Sequence, residues 1–106
     1  MGRNRWAECI VAVDGDVPVG FAIISRHFEA HTGKRQLRIS DLFVEEPARG
    51  IRIGVELFKY VLQHARALGC DEVMWEVWRK NLPAYRFYER LGAEHVDDVS
   101  IMRIEL

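Results

Sequence analysis

The sequence predicts a mixed α/β domain: a mostly antiparallel sheet with a β-α-β unit at its centre. Three observations carry this: apolar strand-like runs separated by turn residues in the first half, one long amphipathic helical stretch, and a further strand-like run directly after it. With 106 residues the chain suits one compact domain spanning 1–106. Hydrophobic residues make up 49% and charged residues 29%, which is the balance of a chain that folds around a core.

Trp6 to Val13 is mostly apolar, and Asp14-Gly15-Asp16 then supplies residues suited to a tight turn. With a second run from Val19 to Ser25 this reads as an antiparallel hairpin. The polar segment His27 to Lys34, with a turn at Thr32-Gly33, leads to a third strand from Gln36 to Val44. Glu45-Glu46-Pro47 stops that strand, because proline lacks the amide a ladder needs.

Val55, Phe58, Val61, Leu62, Ala65 and Leu68 recur at helical spacing, so the spacing predicts a helix that begins near Gly54 and ends at Gly69. Glu72 to Val77 has strand character, and a helical crossover makes it parallel to the third strand. Asn81 can cap a second helix with Pro83 in its first turn and Leu91-Gly92 at its close. Val99 to Leu106 reads as a final strand, with Met102, Ile104 and Leu106 on one face.

Fifteen basic and sixteen acidic residues leave a formal net charge of -1, so nothing global recommends nucleic acid as a partner. No apolar run is long enough to span a bilayer, and no membrane association is expected. Cys9 and Cys70 cannot build a disulfide framework, and the histidines lack metal-ligand spacing; a reduced, cytoplasmic setting without a metal is expected.

The chemistry-bearing segment is Arg49-Gly50-Ile51-Arg52-Ile53-Gly54, between a strand and a helix. Unpaired amides at the positive end of a helix attract phosphate, glycines permit close approach, and two arginines add charge. The alternative is an ordinary loop with solvated arginines. Tyr88, on the second helix, could donate a proton to a leaving group, or could simply pack. Asp41 and Glu76, read as lying inside strands, are the candidate bases for a primary amine, whereas Glu45 and Glu46 read as solvated surface carboxylates.

Asp41-Leu42-Phe43-Val44, Arg49-Gly50, Gly54, Asn81-Leu82-Pro83-Ala84 and Phe87-Tyr88-Glu89-Arg90-Leu91-Gly92-Ala93 together resemble the GNAT acetyltransferases, in particular their spermidine/spermine (diamine) branch. The resemblance implies acetyl-CoA as co-substrate and a primary amine, small or on a protein, as acceptor. It further implies that Leu42, Phe43 and Val44 offer backbone groups to the acetyl and pantetheine portions, and that Arg49, Gly50, Ile51, Arg52, Ile53, Gly54 and Val55 surround the pyrophosphate. Asn81 and Ala84 would line the pantetheine arm, and Tyr88 would protonate the departing thiolate, with Asp41 or Glu76 as water-linked base. Ser40, Met74 and Trp75 would contact the acceptor.

This sequence differs from the family pattern in having Arg52 where the turn has its middle glycine, and Ser40 where the diamine branch has glutamate. Family members begin with a strand and one or two helices that wall the acceptor site, whereas this sequence starts at the hairpin. An N-terminally shortened form of the fold is expected, with the edge strand Trp6 to Val13 pairing in a homodimer and a neighbour completing the wall. The alternative is that Arg3, Arg5 and Glu8 keep that edge solvated. A different functional class, a non-catalytic module that binds acyl-CoA or a protein, stays open beside the enzyme.

Overall fold

The computed structural model describes residues 6–45, 50–97 and 99–106. The chain divides into two compact units, Met1–Glu76 and Val77–Leu106. In the first, β1 (Glu8–Asp14), β2 (Val17–Glu29), β3 (Lys34–Val44), α1 (Gly50–Ala67) and β4 (Glu72–Trp75) follow in order. They form one sheet of order β1-β2-β3-β4, antiparallel except for the β3–β4 pair.

The hairpin forms where expected because Gly15 takes a φ of 65°, which a glycine adopts without steric cost. β2 runs on past Ser25 to Glu29, pairing Arg26 with Leu37 and Glu29 with Lys34. His27 to Glu29 are therefore strand rather than connection. A ladder is held by main-chain bonds, so it continues through side chains whose polarity hides it from a periodicity reading.

The first helix starts at Gly50, a full turn earlier than the apolar spacing predicts, and its buried face comprises Leu57, Phe58, Val61 and Ala65. These side chains meet Ala22, Ile24, Leu37 and Ile39 on one face of the sheet; Val61, Ile24 and Leu37 are wholly buried. At roughly 1.5–3 kcal/mol for each buried aliphatic side chain, this layer is the main source of stability in the unit. On the same side, Phe58 meets Trp75 edge to face with ring centroids 5.2 Å apart. The helix ends at Gly69, φ 79°, where Cys70 N–H bonds the Ala65 carbonyl and Gly69 N–H the Arg66 carbonyl, the paired bonds of a Schellman cap.

β4 stops at Trp75, so Glu76 lies beyond the strand and not inside it. Its ladder ends at the Ile39–Trp75 pair, just before an irregularity in β3 that would break the register. At the other end, Arg35 N–H donates to Asp71 Oδ2 (2.9 Å) and Asp71 N–H to the Arg35 carbonyl (2.7 Å). That backbone bond, helped by the Arg35 guanidinium, holds the Asp71 carboxyl below the usual carboxylate range.

In the second unit, α2 (Leu82–Arg90) is capped by Asn81, whose Oδ1 accepts from Ala84 N–H at 3.3 Å. It closes at Leu91-Gly92 with a second pair of Schellman bonds, from Ala93 N–H to the Tyr88 carbonyl and from Gly92 N–H to the Glu89 carbonyl. His95 then stacks on Tyr85 (5.0 Å) and its Nε2 lies 3.1 Å from Glu89 Oε2. The expected strand at Val99 to Leu106 does not form. Its apolar residues are exposed, and alternation shows which face a strand could bury without supplying the neighbour a strand requires.

Candidate functional site

β3 is longer than the neighbour that joins it through α1. β4 accompanies it only from Gln36 to Ile39, while β2 pairs with it as far as Val44, and Glu45 N–H still reaches the Val19 carbonyl at 2.8 Å. From Ser40 to Val44, the β4-side edge of β3 therefore has no strand beside it among the described residues. Such an edge can pair with an extended ligand that carries amides. Leu42, Phe43 and Val44, expected to offer backbone groups, lie on this stretch.

A bulge sets the side chains of the same stretch. Ile24 pairs with Ile39 and Ile23 with Asp41, so Ser40 is an extra residue in β3. Before it, Ile39 faces α1; after it, Asp41 faces with Ile23 the side of the sheet away from α1. Arg38, Asp41 and Phe43 consequently share that far face with Ser25, Ile23 and Phe21, and the Phe21 and Phe43 rings sit 5.6 Å apart. Met74, the partner of Arg38, belongs to it as well, whereas Trp75 lies on the α1 side against Phe58. Ser40 and Asp41 are exposed; Met74 is half-buried.

The start of α1 supplies the complementary feature. The first four amides of a helix have no acceptor within it, so those of Gly50 to Ile53 stand at its positive end, and no acidic residue lies in the first turn to offset them. Arg52 is exposed, Ile53 and Val55 are half-buried and Gly54 is buried. Glu46, Pro47 and Arg49, with the side chain of Ile51, lie outside the described residues. Amides, dipole and an exposed arginine fit a pyrophosphate, and the open β3 edge fits the amide-bearing arm of a coenzyme A thioester.

In the second unit, Asn81, Ala84 and Tyr88 share one face of α2 by helical spacing. Asn81 is exposed while Ala84 and Tyr88 are half-buried; the Tyr88 ring stands edge-on to Phe87 at 5.3 Å. A shallow hollow of about 350 Å³, lined by Arg79, Leu82, Tyr85, Arg86, Glu89 and His95, lies on a different face of α2. Glu76 is exposed at the end of the first unit.

Two features escaped the sequence reading. Gln36, 2% exposed, donates from Nε2 to Glu72 Oε2 (2.6 Å) and accepts from Arg38 Nε (3.0 Å); a single glutamine in a strand gives no such signal. Gly20 faces Val44, and a Cβ there would stand 2.8 Å from the Phe43 carbonyl oxygen. A glycine inside an apolar strand was the available clue to this close approach. Gly20→Ala is expected to push the end of β3 aside, destabilising the chain by roughly 1–3 kcal/mol. Chemical denaturation of the variant checks this; an unchanged midpoint would show that β3 yields freely.

The model of the Acetyltransferase (GNAT) family matches residues 2–93, a span that includes residues of both units. The chain is 31% identical over 88 residues to L-ornithine N5-acetyltransferase of Arabidopsis thaliana, covering 83% of this chain and 39% of that protein. It is 28% identical over 105 residues to thialysine N-epsilon-acetyltransferase of Mus musculus, covering 92% and 61%. Among solved structures, an integron cassette protein from the mobile metagenome of V. cholerae superposes with a TM-score of 0.85 at 32% identity, over 93% of this chain and 61% of that one. The chain thus spans from about two fifths to three fifths of the length of these relatives.

Proposed function

The chain belongs to the acetyltransferase (GNAT) family, and from that premise we propose that it transfers the acetyl group of acetyl-CoA to a primary amine by direct attack in a ternary complex. The observation that supports this reading most is the unpaired β3 edge from Ser40 to Val44 in the same unit as the amide-rich start of α1. Acetyl-CoA supplies the activated acyl group. In this reading, Gly50 to Val55 with Arg49 hold its pyrophosphate, and Leu42, Phe43 and Val44 orient the thioester through backbone groups. An N–H on that edge stabilises the charge that develops on the acyl oxygen. Asn81 and Ala84 line the pantetheine arm.

A free amine with a pKa of about 10.4 is protonated at neutral pH, so the acceptor must lose a proton before it attacks. Asp41, turned by the bulge onto the face away from α1, is the base favoured here, acting through water; Glu76 is the second candidate. Tyr88 returns a proton to the thiolate. Ser40 and Met74 border the acceptor, with Trp75 behind them at the end of β4. The ornithine and thialysine relatives direct the acceptor toward small aliphatic amines.

The free thiols Cys9 and Cys70 suit the reduced cytoplasm. β1 is an edge strand with Val11 and Val13 exposed, and it supports a homodimer whose partner walls the acceptor side; sedimentation equilibrium showing a monomer that still acetylates amines would remove that partner.

The test is thiol release. With acetyl-CoA and a panel of ornithine, lysine and spermidine, the chain is expected to liberate coenzyme A only when an amine is present. Binding of acetyl-CoA without amine-dependent release would establish the non-catalytic module instead.

A further inference from the structure

We propose that Arg38 selects the acceptor, by taking a carboxylate that the acceptor carries at the end remote from its reacting amine. This rests on the reading of the chain as an amine acetyltransferase and adds to it the class of substrate.

A carboxylate only accepts hydrogen bonds, so the Gln36 group 2.6 Å from Glu72 Oε2 is its NH₂, and its carbonyl oxygen must face the other way, toward Arg38. Lys34 Nζ, 3.5 Å from Glu72 Oε1, holds the same carboxylate from its other side. Gln36 is 2% exposed and cannot swing out. Its oxygen accepts from Arg38 Nε at 3.0 Å, which fixes the guanidinium by its inner nitrogen.

Four of the five guanidinium N–H groups remain, on the two terminal nitrogens, and among the described residues they have no hydrogen-bond or ion-pair partner. The cross-strand neighbours of Arg38 are Ser25 and Met74, neither of them charged. A half-buried cation anchored in this way presents a planar fork of donors, the geometry that a carboxylate meets with both oxygens.

The other end of the acceptor is fixed by Asp41. The bulge at Ser40 places Asp41 on the same far face as Arg38, and no ion pair joins the two. They lie three residues apart, one of them the bulge, or roughly 7–10 Å along the strand at about 3.3 Å per residue. An anion and a cation so spaced on one face match a ligand with an amine at one end and a carboxylate at the other: an amino acid with a basic side chain. A diamine of the same length would place its second positive charge against Arg38.

Ornithine and putrescine differ by the carboxylate alone, so they form the test. The chain is expected to favour ornithine by about tenfold to a hundredfold in kcat/KM, the range of a charge-assisted hydrogen bond, with the difference in KM. Arg38→Gln should raise KM for ornithine and, by removing the repulsion, lower it for putrescine until the two meet, and Arg38→Lys should restore part of the preference. A wild-type chain indifferent to the carboxylate, or a preference that survives in Arg38→Gln, overturns the proposal.

Binding provides a readout independent of turnover. The Arg38 Nε–H resonance should shift with ornithine and not with putrescine, in chain saturated with coenzyme A. If that resonance ignores ornithine while the Gly50 to Val55 amides respond to acetyl-CoA, the carboxylate site is wrong and the transferase reading stands. If Arg38 follows ornithine while those amides ignore acetyl-CoA, the carboxylate site stands and the transferase reading fails.

Discussion

Tyr88→Phe is expected to lower amine-dependent thiol release by about a hundredfold to ten-thousandfold, the usual contribution of a positioned proton donor. The substitution removes one oxygen and keeps the ring that stands edge-on to Phe87, so α2 and its cap at Gly92 should be undisturbed. A phenol can donate its proton to the departing sulfur as charge develops on it. Since the loss falls on the transition state alone, kcat and kcat/KM should drop together while acetyl-CoA affinity stays within about twofold. Equal turnover by the variant would return Tyr88 to a packing role.

Arg52→Glu should weaken acetyl-CoA binding by about tenfold to a hundredfold. The residue is exposed in the first turn of α1, where no carboxylate offsets the helix dipole, and the change exchanges an attractive charge for a repulsive one beside a pyrophosphate. At exposed positions the effect shrinks as salt rises, so titrations at low and high ionic strength should converge. Arg66→Glu, in the last turn of the same helix, alters the net charge equally and should leave the affinity unchanged. An Arg52→Glu chain that binds as tightly as the parent would mean that Arg52 stands clear of the phosphates, and that backbone amides bind them alone.

Much of this fold was legible because local chemistry and tertiary structure agree. The Gly15 turn, the cap at Asn81 and the stops at Gly69 and Gly92 all form as their residue types predict. The parallel β3–β4 pair followed from the helix between them. Register was not legible. Simple alternation puts Ile39 and Asp41 on one face, yet the extra residue at Ser40 sends them to opposite faces. Relative strand length was equally hidden, although the open β3 edge consists of nothing more than β4 ending at Trp75. Val99 to Leu106 shows the converse, a strand-like pattern without a partner strand among the described residues. No pattern in the sequence marks Arg38, because the Glu72 carboxylate that orients Gln36 beside it comes from another strand.

The central claim is that acetyl-CoA enters between the open β3 edge and the start of α1, and amide chemical shifts measure it most directly. Titrating ¹⁵N-labelled chain with acetyl-CoA should move the resonances of Gly50 to Val55 and of Ser40 to Val44 together, with one affinity, while the β1–β2 turn at Gly15 stays still. Shifts confined to other regions, or none at saturating acetyl-CoA, would contradict it.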